Sequence, residues 1–82
     1  MIKLTLYTTA GCHLCEEAEQ MLHILSEQQL CQWQPLEICD HDDLVNRYGI
    51  RIPVIATGQG REIGWPFTLE SLYDWLNQPI SG

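Results

Sequence analysis

The sequence predicts a single α/β domain over residues 1–82, in the order β-α-β-α-β-β-α, with a four-stranded mixed sheet flanked by helices. Three observations lead there. Segments rich in strand formers alternate with segments of helical periodicity, which implies parallel pairing between strands joined by helices. A short glycine-bearing turn near the C-terminal end joins two strands directly, which implies an antiparallel hairpin. The 82 residues, 45% of them hydrophobic, suffice for one modest core and no more.

The elements follow from local chemistry. Lys3-Leu4-Thr5-Leu6-Tyr7-Thr8 alternates and favours a strand, and Gly11 breaks it. A helix then runs to about Gln29, with Leu14, Ala18, Met21, Leu22 and Leu25 on one face and Glu16, Glu17 and Glu19 near the favourable N-terminal dipole. Trp33 to Ile38 forms a second strand, which Pro35 confines to a sheet edge because it lacks a ladder donor. Asp40 serves as N-cap of a short helix with Asp42 and Asp43 in its first turn, Leu44, Val45 and Tyr48 on its apolar face, and Gly49 just past its end. Ile52-Pro53-Val54-Ile55-Ala56 is the third strand, Gly58 and Gly60 turn the chain, and Arg61-Glu62-Ile63-Gly64 returns as the hairpin partner. Thr68 caps a last helix whose Leu69, Leu72, Tyr73 and Leu76 share a face, with Pro79 beyond its end. This order matches the minimal thioredoxin fold.

Composition excludes several functions. Four basic against 11 acidic side chains give a formal charge of −7, the wrong sign for nucleic acid or anionic lipid. No apolar run approaches the ~20 residues of a membrane span. Met1-Ile2-Lys3-Leu4-Thr5-Leu6 lacks a basic stretch, a long apolar run and a small-residue cleavage site, so a cytoplasmic protein is expected, and a monomer.

Four cysteines in a reducing compartment point to catalysis or metal binding rather than a disulfide scaffold. Cys12-His13-Leu14-Cys15 lies between a strand and an amphipathic helix. There the first thiol meets unpaired backbone N–H groups and the positive helix end, which stabilise a thiolate. The second, one turn along, is close enough to resolve a mixed disulfide. Cys12 is therefore the candidate nucleophile and Cys15 the resolving thiol. His13 either lowers the Cys12 pKa as a nearby cation or is an exposed helix-start residue; Glu16 and Glu17 oppose the first effect.

With these residues in view, the chain resembles the glutaredoxin-like proteins of the thioredoxin superfamily. The likeness rests on Cys12-His13-Leu14-Cys15 and Arg51-Ile52-Pro53-Val54. Tyr48 to Val54 and Gly64-Trp65-Pro66-Phe67 look like a small bacterial branch of that family. The likeness covers nearly the whole chain. It implies that Pro53 is a cis proline opposite the redox pair, with the Ile52 backbone offered to an extended substrate. An ordinary trans proline at a strand start is the alternative. The chain departs from typical glutaredoxins in having His13-Leu14 between the cysteines and Thr8 where those proteins carry a lysine. It also has Gly64-Trp65-Pro66-Phe67-Thr68 in place of a Gly-Gly and acidic element. No bound cofactor is expected. Glutathione is a candidate co-substrate whose usual contacts are not evident. Trp65 is either part of a substrate rim or, like Phe67, a core residue, and Tyr7 is expected to pack beneath the site.

Cys31 and Cys39, separated by seven residues, lack zinc-ribbon spacing and are expected to be small hydrophobes or surface thiols. Asp40, His41, Asp42 and Asp43 suit helix capping better than a metal site, and His23 is expected to be solvated. The expected function is a thiol–disulfide oxidoreductase reducing protein or small-molecule disulfides in the cytosol, with glutathione or a reductase as reductant. The alternatives are a soft-metal module holding Cu(I) or Zn through Cys12 and Cys15, and a non-catalytic adaptor.

Overall fold

A computed structural model describes residues 2–77. Four strands, β1 (Ile2–Thr8), β2 (Cys31–Glu37), β3 (Val54–Thr57) and β4 (Glu62–Gly64), form one mixed sheet in the order β2-β1-β3-β4. Three helices accompany them: α1 (His13–Glu27), α2 (Asp42–Tyr48) and α3 (Leu69–Asn77). A 3₁₀ turn over Ile38–Asp40 links β2 to α2. Pro79, expected beyond the last helix, lies outside the described residues.

Helix lengths decide the strand directions. At 1.5 Å per residue α1 spans about 22 Å, close to the roughly 23 Å of a seven-residue strand. It therefore returns the chain to the start of β1, and β2 pairs parallel to it, Ile2 with Cys31 through Thr8 with Glu37. The seven residues of α2 span only about 10 Å. The chain re-enters the sheet near the edge it had left, and β3 runs antiparallel to β1, Tyr7 opposite Val54 and Leu4 opposite Thr57. The expectation that helix-separated strands pair in parallel thus fails for β3. The hairpin β3–β4 is antiparallel, with Val54 opposite Gly64. Gly60 takes a φ of +90° in its turn, and the Thr57 N–H donates to the Arg61 carbonyl at 2.9 Å. Pro35 sits in an edge strand, where a missing donor is tolerated.

Alternation along β1 sorts the two faces of the sheet. Leu4 and Leu6 point into the main core with Ile55, Cys31, the α1 residues Ala18, Leu22 and Leu25, and Phe67, Leu72, Trp75 and Leu76. Each large side chain buried there contributes about 1.5–3 kcal/mol. On the other face Tyr7 stacks on Tyr48 of α2, ring centroids 4.4 Å apart, above buried Val54 and Ala56.

Several helix faces differ from the expectation. In α1 the buried stripe begins at Cys15, and Leu14 is exposed. In α2 Val45 is exposed and Tyr48 is the buried residue. In α3 the stripe is Leu72, Trp75 and Leu76, at i, i+3 and i+4, while Leu69 and Tyr73 are exposed. Asp40 is not the N-cap of α2. It closes the 3₁₀ turn, and His41 holds the cap position without a side-chain bond. Thr68 does cap α3: its Oγ1 accepts the Ser71 N–H at 3.0 Å while Ser71 Oγ accepts the Thr68 N–H at 2.8 Å.

Gly49 is right-handed, at φ −51°, and its small size has another cause. A Cβ there would lie 2.5 Å from the Val45 carbonyl oxygen.

Candidate redox site

Strand register gathers the sequence candidates at one sheet edge. Leu36, Tyr7, Val54 and Gly64 form a row across the four strands. One residue further stand Glu37 and Thr8, and Pro53 and Trp65, the last pair joined by a bond from the Trp65 N–H to the Pro53 carbonyl at 3.1 Å. The loop 9–11 leaves Thr8 and delivers Cys12 at this edge.

Cys12 is the N-cap of α1, and its sulfur accepts the Cys15 N–H at 3.2 Å. The first turn thus aims an orphan helix donor at the atom where thiolate charge would develop. Cys12 and Cys15 are joined as a disulfide, with Cα atoms 5.2 Å apart. Cys12 is half-buried and Cys15 only 2% exposed, so the two sulfurs meet solvent unequally. Gly11, at φ +80°, makes the sharp entry to the motif; its conformation rather than space excludes other residues.

The entry loop is held by a residue that sequence reasoning missed. Glu37, at the end of β2, accepts the Ala10 N–H at 2.8 Å through Oε1 and the Cys39 N–H at 3.2 Å through Oε2. The Thr9 hydroxyl first, then the Cys39 and Ala10 N–H groups, hold its carboxyl below the usual glutamate range, against a small opposing effect of burial. Thr9 Oγ1 also lies 3.1 Å from Cys39 Sγ. The only signal available in sequence was an acid at the end of a predicted strand, which is too common to single out.

His13 is 96% exposed on its side chain and sits 3.7 Å from Glu16. Glu16 and Glu19 turn toward the disulfide and, with Glu37, line a groove of about 280 Å³ that includes Cys12 and Cys15. Glu17, expected beside Glu16 in opposing the thiolate, is not among the lining residues.

The Ile52–Pro53 peptide is cis, and so is Trp65–Pro66. Pro53 is buried and Ile52 half-buried. The Ile52 N–H donates to the Tyr48 carbonyl at 3.0 Å and is thereby engaged within the chain. The Trp65 ring packs edge-on against Phe67, centroids 5.0 Å apart, and flanks the core while its backbone stays at the site edge.

The segment leading to Pro53 is braced from below. Tyr48 donates its hydroxyl to Glu62, and Arg47 and Arg51 approach the same carboxylate at 3.8 and 3.7 Å. Burial, then the bond to Glu62 and its charge, push the Tyr48 phenol up to about 12. This cluster, too, was not foreseen, since its members are scattered along the chain from α2 to β4.

Of the other cysteines, Cys31 is buried in the core, which pushes its thiol pKa up, and Cys39 is exposed. Among the described residues no three His, Cys, Asp or Glu side chains form a set that could hold a metal ion. No described helix is long and apolar enough to cross a membrane.

Comparisons with known proteins agree with this geometry. The glutaredoxin-like domain family (DUF836) matches residues 3–77. The X-ray structure of the structural-genomics target protein XcR50 from X. campestris shares 36% identity at a TM-score of 0.79, covering 90% of this chain and 95% of that one. The solution structure of protein Ne2328 from Nitrosomonas europaea shares 26% identity at a TM-score of 0.78, covering 93% and 92%. A mutant thioredoxin from Halobacterium salinarum, at 20% identity and a TM-score of 0.74 over 92% and 71%, shares the fold. A search of curated proteins gives no match. With residues 3–77 matched and a thioredoxin-like sheet presenting Cys12 and Cys15 at a helix start, the chain belongs to the glutaredoxin-like domain family of the thioredoxin superfamily.

Proposed function

We propose that the protein is a thiol–disulfide oxidoreductase whose redox couple is Cys12 and Cys15. The observation that carries this reading is the disulfide at the first turn of α1, with Cys12 half-buried beside an open groove and Cys15 buried behind it. In the reduced protein the Cys12 thiolate, stabilised by the Cys15 N–H and the α1 N-terminus, attacks one sulfur of a substrate disulfide. A Cys12–substrate disulfide forms and one substrate thiolate leaves, taking a proton from solvent. Cys15 then loses its proton and attacks Cys12 Sγ, expelling the second substrate thiolate and closing the Cys12–Cys15 disulfide. Two electrons and two protons pass to the substrate. A thiol reductant, glutathione or the dithiol of a reductase, reverses the exchange at the protein.

Ile52 and Trp65, both half-buried beside the buried Pro53, form the neighbouring surface for the substrate, with the Ile52 carbonyl as the backbone acceptor. His13, exposed at the start of α1 and 3.7 Å from Glu16, borders the approach to Cys12. The test is the mass of the purified protein before and after mild reduction, together with disulfide-reducing activity. A reversible two-proton change mapped to Cys12–Cys15, and loss of activity in Cys12→Ser, are expected. Full activity in Cys12→Ser, or stoichiometric copper or zinc lost on that substitution, overturns the reading.

A further inference from the structure

The groove at the disulfide is acidic on every charged wall. Glu16 and Glu19 come from α1 and Glu37 from the end of β2, and among the described residues no lysine or arginine lines it. Two arginines are engaged at Glu62 and a third donates to the Trp75 carbonyl at 2.8 Å. Lys3 lines a separate pocket with Gln32 and Gly58. His13 is the basic group that follows Cys12, and it is itself set against Glu16. Glu37 is held ionised by its hydrogen-bond donors, so its charge persists into acid. The groove also continues. Glu16 and Glu19 also line a second, larger and shallow groove of about 730 Å³ together with Gln20, His23 and Ile24 of α1 and Trp33 of the edge strand.

Building on the oxidoreductase reading, we propose that the substrate is a disulfide within a basic polypeptide segment. Its cationic residues flank the sulfur attacked by Cys12, and its chain extends along α1 toward Ile24 and Trp33. Charge complementarity selects the sign. A substrate with carboxylates beside its disulfide, glutathione disulfide included, meets Glu16, Glu19 and Glu37 without a compensating cation. The second groove, with Ile24 and Trp33 in its lining, selects a polypeptide over a small cationic disulfide, which fills the part next to Cys12 only. The exchange is the one given above, with electrons and protons balanced in the same way. What the acids change is the encounter and the lifetime of the mixed disulfide.

The test compares three symmetric disulfide-linked peptides differing only beside the cysteine, with two lysines, two glutamates or two serines, as oxidants of the reduced full chain. Cystamine serves as the small cationic probe. At low ionic strength the lysine peptide is expected to react roughly tenfold faster than the glutamate peptide, with the gap shrinking severalfold at about 0.5 M salt. Glu16→Gln with Glu19→Gln should bring the two rates together. The lysine peptide should outrun cystamine, and Trp33→Ala should narrow that lead. Equal rates for lysine and glutamate peptides, or the reverse order, overturn the charge selection. Equal rates for the lysine peptide and cystamine overturn the polypeptide assignment. The serine peptide separates these failures from a deeper one: if it too fails to oxidise Cys12 and Cys15, the oxidoreductase reading falls instead.

Discussion

Glu37 and Ala10, 27 residues apart in sequence, are joined by a 2.8 Å bond from the Ala10 N–H to the Glu37 carboxylate. The end of β2 thereby holds the loop from which Cys12 emerges. A second N–H, from Cys39, the Thr9 hydroxyl and the Cys39 thiol also bond the carboxylate, so one side chain ties the strand, the 3₁₀ turn and the Cys12 loop together.

Glu37→Ala should loosen that loop and the placement of Cys12 while leaving both thiols in the chain. Misplacing a reacting group by about 1 Å can cost up to roughly a hundredfold in rate. Reduction of bis(2-hydroxyethyl) disulfide, an uncharged substrate, should accordingly slow at least severalfold. Because the folded-state pKa of Glu37 is depressed, its contribution to stability is full above the ordinary glutamate value of 4.5 and is lost as pH falls through the folded value. Glu37→Gln should therefore flatten the acid side of a plot of Tm against pH. An unchanged acid limb would mean these bonds contribute nothing to folding.

The unequal exposure of the two cysteines makes the proposed order of attack testable. In Cys15→Ser the half-buried Cys12 still attacks but nothing resolves the product, so a stable mixed disulfide should accumulate and appear as added mass on Cys12. Cys12→Ser should form no adduct and lose at least about a hundredfold in turnover, since it lacks the nucleophile. Adducts on Cys15 in the Cys12→Ser protein would reverse the roles.

The element order and the Cys12–Cys15 pair at a helix start were legible in the sequence because they depend on local signals: alternation in Lys3 to Thr8, a Cys-x-x-Cys beside an amphipathic run, Thr68 before a helix. The direction of β3 was not legible. It depends on how far seven residues of α2 carry the chain, and the expected Asp40 cap hid the 3₁₀ turn that shortens this helix. Burial of Trp75 instead of Tyr73 depended on packing into the core that holds Phe67, which helical periodicity alone leaves open. Glu37 and the Tyr48–Glu62 brace were invisible for a common reason. Each joins elements distant in sequence, and a lone acid or tyrosine on a short element carries no local mark.

The end of α1 offers a stability test independent of the site. Leu30 N–H bonds the Leu25 carbonyl at 3.0 Å and Gln29 N–H the Ser26 carbonyl at 2.9 Å, the paired bonds of a Schellman motif. Its left-handed position is held by Gln29 at φ 61°, where a Cβ is unfavourable. Gln29→Gly should stabilise the fold by about 0.5–1 kcal/mol, the strain relieved exceeding the entropy added to the unfolded chain. For a domain of this size that is a rise in Tm of roughly 2–8 °C. A fall in Tm would show that the Gln29 side chain contributes more than its backbone costs.

The Tyr48–Glu62 bond makes an alkaline prediction. Tyr48 loses its proton at about 12 in the folded protein and at its ordinary value of 10.0 when unfolded. The unfolded chain therefore releases this proton first, and between those values stability falls as pH rises. Below pH 10.0 the contribution is fully present; above about 12 it is gone. Tyr48→Phe removes the titrating group, and the alkaline loss of stability should become shallower. The substitution also leaves Glu62 with its two arginines but without the phenol, so the neutral-pH Tm should drop by a few degrees. Tm followed from about pH 8 to pH 12, alongside tyrosinate absorbance, checks both effects. Identical alkaline limbs in the two proteins would mean that the Tyr48 phenol does not titrate differently on folding, and the brace beneath Pro53 would then have to rest on the arginines and the stack against Tyr7 alone.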